Sequence, residues 1–287
     1  MLKKTIASCF IICLCSAFSI AQKDTLFIAK HTTYNSIDDI LANKKKVYHI
    51  DLAFKSLKSL PNGIYECVNL ETLNLNFNGI SKISDSISLL KTLKSIDLRK
   101  NPIKELPSTF YLLDSLQIMN FNASSLKYLS NDISNLKELK EIHVASTKIK
   151  TLPKCISDLK KLERLDLSNN HYPLNKIPKS IYNLTSIKKL YIRSINIRKL
   201  PDSFINLTTL KNIDISYNKF NYFPLVLLSL PNLEDIDLSG NPISDIPMEI
   251  KSLKKLKHLR LKSTPISKDE NKKNELKKLL PNCEIIY

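Results

Sequence analysis

From Val47 to Pro265 one apolar pattern recurs every 23 residues, and no other feature limits the fold so tightly. The stretch from Leu233, LEDIDLSGNPISDIPMEIKSLKK, shows it whole, and Leu256 then begins the next copy. Apolar side chains occupy repeat positions 1, 4, 6, 11, 14, 18 and 21. Asn recurs at position 9 and Pro at position 15. A period of this length means stacked supersecondary units, none of which can bury its apolar face alone.

Ten copies can be phased, starting at Val47, Leu70, Leu93, Leu116, Leu139, Leu162, Ile187, Leu210, Leu233 and Leu256. The copy at Leu162 runs 25 residues, with the extra length around His171, Tyr172 and Pro173. The motif LxxLxLxxN resembles the leucine-rich repeat family. The copies LRKNPIKELPSTF and LSGNPISDIPMEI look like its 23-residue "LPxxI" class. The resemblance covers about three quarters of the chain. It implies an α/β fold: a right-handed solenoid with a parallel sheet on the concave side and short helices or 3-10 turns on the convex side.

Alternation along a strand directs positions 4 and 6 inward and positions 3, 5 and 7 outward. Asn at position 9 can satisfy backbone groups that a tight turn would bury unpaired. It is present as Asn78, Asn101, Asn170, Asn218 and Asn241. Ser124, Thr147 and Thr264 are weaker substitutes, and Ile195 offers no polar atom. The domain reading is residues 1–21 as a signal peptide, 22–46 as an N-terminal helical cap, 47–266 as ten repeats and 267–287 as a C-terminal cap. In the first cap, Ser36 is the expected N-cap of a short helix, with Asp38 and Asp39 in its first turn. In the second, residues 271–280 read as a polar helix and 280–286 as a closing strand.

Lys3 and Lys4, the apolar run Ile6 to Phe18 and the small-x-small site Ser19-Ile20-Ala21 have the order of an export signal. Cleavage is expected before Gln22. Ile6-Ala7-Ser8-Cys9 resembles a lipobox but stands ahead of the hydrophobic stretch. The apolar run is short for a membrane span. The sequence therefore reads as a secreted or periplasmic protein of bacterial type, with no stable membrane span. Cys67, Cys155 and Cys283 remain after cleavage, an odd number. Cys67 and Cys155 stand four coils apart, about 19 Å at roughly 4.8 Å per strand. A disulfide needs Cα atoms within about 7 Å, so three free thiols are expected.

The formal net charge is +17. A balance this basic invites a nucleic-acid partner, so the placement of the charges decides. The outward strand positions hold seven acids, Asp51, Asp97, Glu141, Asp166, Asp214, Asp235 and Asp237, against six bases. That leaves the concave side near neutral and argues against a groove for a phosphate backbone. Residues 251–280 carry eleven bases and three acids, so the excess is greatest at the C-terminal end.

Chemistry is sparse. Only three glycines are present, and neither HExxH nor paired CxxC occurs. His143 and Asp166 share position 5 of adjacent coils, with Ser146 and Ser168 on the same side. Ser, His and Asp can be arranged for nucleophilic catalysis. An open sheet supplies neither an oxyanion hole nor shelter from water, so these residues read as sheet residues. No cofactor or metal site is expected, and the chain reads as non-enzymatic.

The family resemblance implies recognition of a protein ligand on the concave side. Between the coils at Leu162 and Leu233, the outward residues are Arg164, Asp166, Tyr191, Arg193, Asp214, Asp235 and Asp237, with Tyr217 at the strand edge. Tyr and Arg dominate protein interfaces, and neighbouring acids can set a partner's register. These eight are the expected ligand-binding residues. The alternative is adhesion to an anionic glycan or lipopolysaccharide through the basic C-terminal end.

Overall fold

The structure, a computed structural model, describes residues 32–170, 177 and 179–287. Each phased copy contributes one three-residue strand from its positions 3 to 5. The first five are β2 (His49–Asp51), β3 (Thr72–Asn74), β4 (Ser95–Asp97), β5 (Ile118–Asn120) and β6 (Glu141–His143). The next five are β7 (Arg164–Asp166), β8 (Lys189–Tyr191), β9 (Asn212–Asp214), β10 (Asp235–Asp237) and β11 (His258–Arg260). The caps extend the sheet at both ends, with β1 (Thr33–Tyr34) and β12 (Glu284–Ile286). The sheet is thus twelve strands rather than ten, all parallel and in chain order. The closing strand was expected; β1 lies upstream of the repeat and carries no periodic signal.

Pairing is in register from coil to coil, so equal repeat positions stand side by side. Positions 4 and 6 form two continuous buried rows, for example Leu165, Leu190 and Ile213 beside Leu167, Ile192 and Ile215. These rows and the buried position-18 row of Ile156, Ile181 and Phe204 belong to one elongated core.

The side opposite the sheet is built of five-residue 3-10 turns, among them residues 62–66, 154–158 and 248–252. Position 15 starts these turns. Pro61, Pro107, Pro153 and Pro247 sit there with φ near −65° and no N–H to satisfy. Where proline is missing, Ser84 and Ser130 cap the turn instead, each accepting a backbone N–H at 3.2 Å.

The position-9 asparagines tie neighbouring coils together. Asn101 donates to Leu98 O of its own coil at 3.2 Å and to Leu75 O of the preceding one at 2.9 Å. Its Oδ1 accepts from Ile80 N at 3.0 Å. Asn218 does the same for a coil that lacks its own polar residue: it accepts from Ile195 N and Ile197 N at 3.1 and 3.2 Å. Ile195 is therefore tolerated, buried and apolar, because the following coil serves its backbone. Thr264 reaches its own coil's Leu261 O at 2.6 Å, and Thr147 reaches Val144 O of its own coil at 3.0 Å and Asn170 Oδ1 of the following one at 2.8 Å.

The caps follow local sequence. Helix α1 (Ile37–Ala42) starts at Ser36, whose Oγ accepts from Asp39 N at 3.5 Å. Helix α2 (Glu270–Leu279) starts at Asp269, which accepts from Lys272 N at 3.1 Å. Cys67, Cys155 and Cys283 are all free thiols, with Cys67 fully buried. No helix among the described residues is long and apolar enough to cross a membrane. The expected export signal and the insertion at His171, Tyr172 and Pro173 lie outside the described residues.

Candidate ligand-binding face

The outward residues of β7 to β11 form one continuous polar surface. Parallel register places Arg164 beside Lys189, Asp166 beside Tyr191, Tyr191 beside Asp214, and Asp214 beside Asp237. Seven of the eight expected residues therefore occupy adjacent strands or the residues just after them. The eighth, Tyr217, sits at position 8, beyond the strand, with φ 54°. It projects from the turn that follows the sheet rather than from a strand edge.

Two arginines lie over two tyrosines. The Arg164 guanidinium carbon is 4.7 Å from the Tyr191 ring centroid, and that of Arg193 is 4.1 Å from Tyr217. Stacking of this kind restrains both long side chains before any ligand arrives. Burial pushes the Tyr191 hydroxyl upward in pKa, a trend the Arg164 charge opposes.

Beside Tyr191 lies an open concavity of about 300 Å³, lined by Tyr191, Asn212, Ile213, Asp214, Asp235, Asp237 and Arg260. Asp235 is already engaged. It receives Asn212 Nδ2 and His258 Nδ1, and Arg260 stands 3.9 Å away. Asp214 and Asp237 stand side by side on neighbouring strands, with the Arg193 charge also acting on Asp214. Burial, followed by the Asp237 charge, pushes the Asp214 carboxyl upward in pKa.

Sequence reasoning missed a duty of these carboxylates. At position 5, Asp166 accepts from Ser168 N at 3.0 Å, Asp214 from Ser216 N at 2.9 Å and Asp237 from Ser239 N at 2.9 Å. Asn74 and Asn120 make the same bond to Asn76 N and Asn122 N, both at 3.1 Å. One oxygen of each residue therefore holds the turn that leaves the strand. The second carboxylate oxygen is what the acids can offer a ligand. Recurrence of Asp or Asn at position 5 was the available signal.

The Ser, His and Asp grouping is not a nucleophilic triad. His143 is buried and pairs with Glu141 Oε2 at 3.1 Å, while Asp166 holds its turn. Among the described residues, no group of His, Cys, Asp and Glu could hold a metal ion.

The leucine-rich repeat region model matches residues 54–166 and 116–223, and a second leucine-rich repeat model matches residues 232–253. No curated protein matches the chain. Among solved structures, a TDR receptor is 25% identical with a TM-score of 0.66, over 81% of this chain and 42% of that one. An internalin (inlF) from Listeria monocytogenes is 18% identical with a TM-score of 0.58, over 86% and 82%. The plant peptide hormone receptor RGFR1, solved with RGF2, is 24% identical with a TM-score of 0.57, over 77% and 40%. The chain thus spans about two fifths of the two receptor structures and most of the internalin. With more than half of its length matched by the family model, the chain belongs to the leucine-rich repeat family.

Proposed function

We propose that this protein is a non-enzymatic recognition module that is exported and holds a protein ligand against the sheet face of β7 to β11. The paired Arg–Tyr stacks carry the reading. Arg164–Tyr191 and Arg193–Tyr217 present restrained aromatic and guanidinium surface on neighbouring coils. Such residues bind at low ordering cost and recur as interface anchors. The adjoining concavity has room for a side chain of the partner. Its spare carboxylate oxygens on Asp214 and Asp237 favour a basic one. Two of the similar structures are described as receptors, one of them a plant peptide hormone receptor in complex with RGF2.

The test begins with capture of ligands by the immobilised chain from extracts of its own cells and of host cells. Tyr191→Ala, Arg193→Ala and Tyr217→Ala should each weaken capture about tenfold or more. Lys160→Ala and Lys161→Ala, exposed and outside the strands, should not. Loss in the lysine variants with full capture in the other three would misplace the surface.

A further inference from the structure

We propose that the C-terminal cap docks on the phosphate array of an anionic lipid bilayer. This inference does not rest on the ligand-binding reading, because the lysines that carry it lie on α2 and in turns, outside the strands that form that face.

The charge of the chain is unevenly placed. Residues 251–287 carry a formal +7, the same as residues 32–250 together. Along the stack many lysines are neutralised by a ladder of carboxylates at position 2. Lys94 pairs with Glu71 at 2.7 Å, Lys188 with Glu163 at 2.7 Å, and Lys211 and Lys257 both with Glu234. Lysines without a carboxylate partner among the described residues also occur along the stack, Lys104 and Lys127 for example, but per length of chain the excess is greatest at the C-terminal end. Lys251, Lys254, Lys268, Lys277 and Lys278 are exposed, and none has a carboxylate partner among the described residues. Lys277 and Lys278 lie on α2, Lys251 and Lys268 on the turns at 248–252 and 266–268 against which it packs, and Lys254 two residues past the first of these turns, so they belong to one end of the molecule.

The composition of this end selects the anion. All five are lysines, compact hydrated charges suited to diffuse arrays rather than to bidentate recognition. The one Phe, Tyr or Trp of residues 251–287 is Tyr287, and it is already engaged: Lys273 Nζ stands 5.3 Å from its ring centroid and its hydroxyl donates to Lys273 O at 3.4 Å. The concavity between α2 and its neighbours is about 30 Å³, room for about one water and not for a phosphate or a saccharide unit. The exposed side of α2 carries no apolar side chain to insert. What remains is peripheral electrostatic attraction to a flat surface of headgroups, in which each lysine near the leaflet strengthens binding about fivefold.

The experiment is co-sedimentation of the full chain with vesicles of phosphatidylcholine, with and without about one-third phosphatidylglycerol. The proposal expects an excess of binding to the anionic vesicles that falls as salt is raised. Lys254→Glu/Lys277→Glu/Lys278→Glu should cut that excess about 100-fold, at three lysines of about fivefold each. Lys104→Glu/Lys127→Glu/Lys148→Glu changes net charge equally elsewhere and should retain most of it. Thermal melting of both variants verifies folding. No excess on anionic vesicles, or equal loss in the two triple variants, overturns the proposal. So does soluble heparin binding the cap as tightly as the vesicles at equal charge, which would assign the end to a free polyanionic glycan.

Discussion

Gly240 lies directly under the ring of Tyr217: a Cβ built on Gly240 would stand 2.8 Å from Tyr217 Cδ1 and 2.9 Å from Cγ. Arg193 covers the same ring, 4.1 Å from its centroid. The tyrosine is thus layered between a guanidinium and a bare stretch of backbone. Gly240 also adopts φ +68°. That conformation alone does not require glycine here, since position 8 holds Phe54, Phe77, Lys100, Ala123, Ser146, Asn169, Ser194, Tyr217 and Ser263 at φ between 53° and 58°.

Gly240→Ala should therefore cost about 2 kcal/mol, of which roughly half is the left-handed backbone and the rest the displaced ring. Denaturant unfolding of a double-mutant cycle separates the two. In a Tyr217→Ala background the same substitution should cost only about 1 kcal/mol. Equal costs in the two backgrounds would show that the ring does not rest on Gly240.

Asn101→Ala should be among the most damaging changes outside the apolar core. The side chain is 1% exposed. It serves Ile80 N of the preceding coil and Leu98 O of its own, and shares Leu75 O with Asn78. Leaving these groups buried and unpaired should cost about 3 kcal/mol. Asn101→Ser should recover part of this, because Ser124 fills the same position in the very next coil. A loss under about 1 kcal/mol by chemical denaturation would mean that water replaces the asparagine.

Much of this architecture was legible in the sequence. Positions 4, 6 and 9 had a period, a chemistry and a reason, and the structure bears out their roles at Leu165, Leu167 and Asn170. Position 8 was silent because its constraint is on the backbone. Only Gly240 advertises a left-handed residue; Lys100 and Tyr217 adopt the same φ without any compositional mark. The turn-holding bond of Asp214 was hidden for a different reason. An acid on an outward strand position looks free for a ligand, and only the backbone that follows shows one oxygen in use. The stacking of Arg193 on Tyr217 joins position 7 of one coil to position 8 of the next, a diagonal that register alone does not disclose.

Glu234 bridges Lys211 at 2.9 Å and Lys257 at 2.7 Å. Hydrogen bonds from Lys257 and Lys211 hold its carboxyl down, to about 2. A depressed carboxyl contributes stability above its unfolded value of about 4.3 and loses it as pH falls towards the folded value. The pair is open to solvent, so the contribution is small. Glu234→Gln should lower stability by about 0.5 kcal/mol at pH 7 in low salt. Added salt should shrink the difference, and below about pH 2 the variant and the parent should melt together. A difference that persists at low pH would point to packing of the side chain rather than its charge.

Asp214 has the opposite linkage. Burial and the adjacent Asp237 raise its carboxyl, so the folded state disfavours the ionised form. For a raised carboxyl the cost is present above the folded-state value and is relieved as pH falls through it. Asparagine keeps the Oδ1 that accepts from Ser216 N at 2.9 Å, as Asn74 and Asn120 do in the same repeat position. Asp214→Asn should therefore raise the melting temperature at pH 7, by about 1–2 °C for a domain of this size. The gap should close as pH falls and vanish below about 3.9, where both forms of the aspartate are protonated. Asp214→Ala removes the turn bond as well and should instead lose about 1 kcal/mol at both pH values. An asparagine variant that melts lower than the parent at pH 7 would show that the carboxylate stabilises this face even without a ligand. The spare oxygens of Asp214 and Asp237 would then be structural, and the basic side chain proposed for their concavity would have no vacancy to fill.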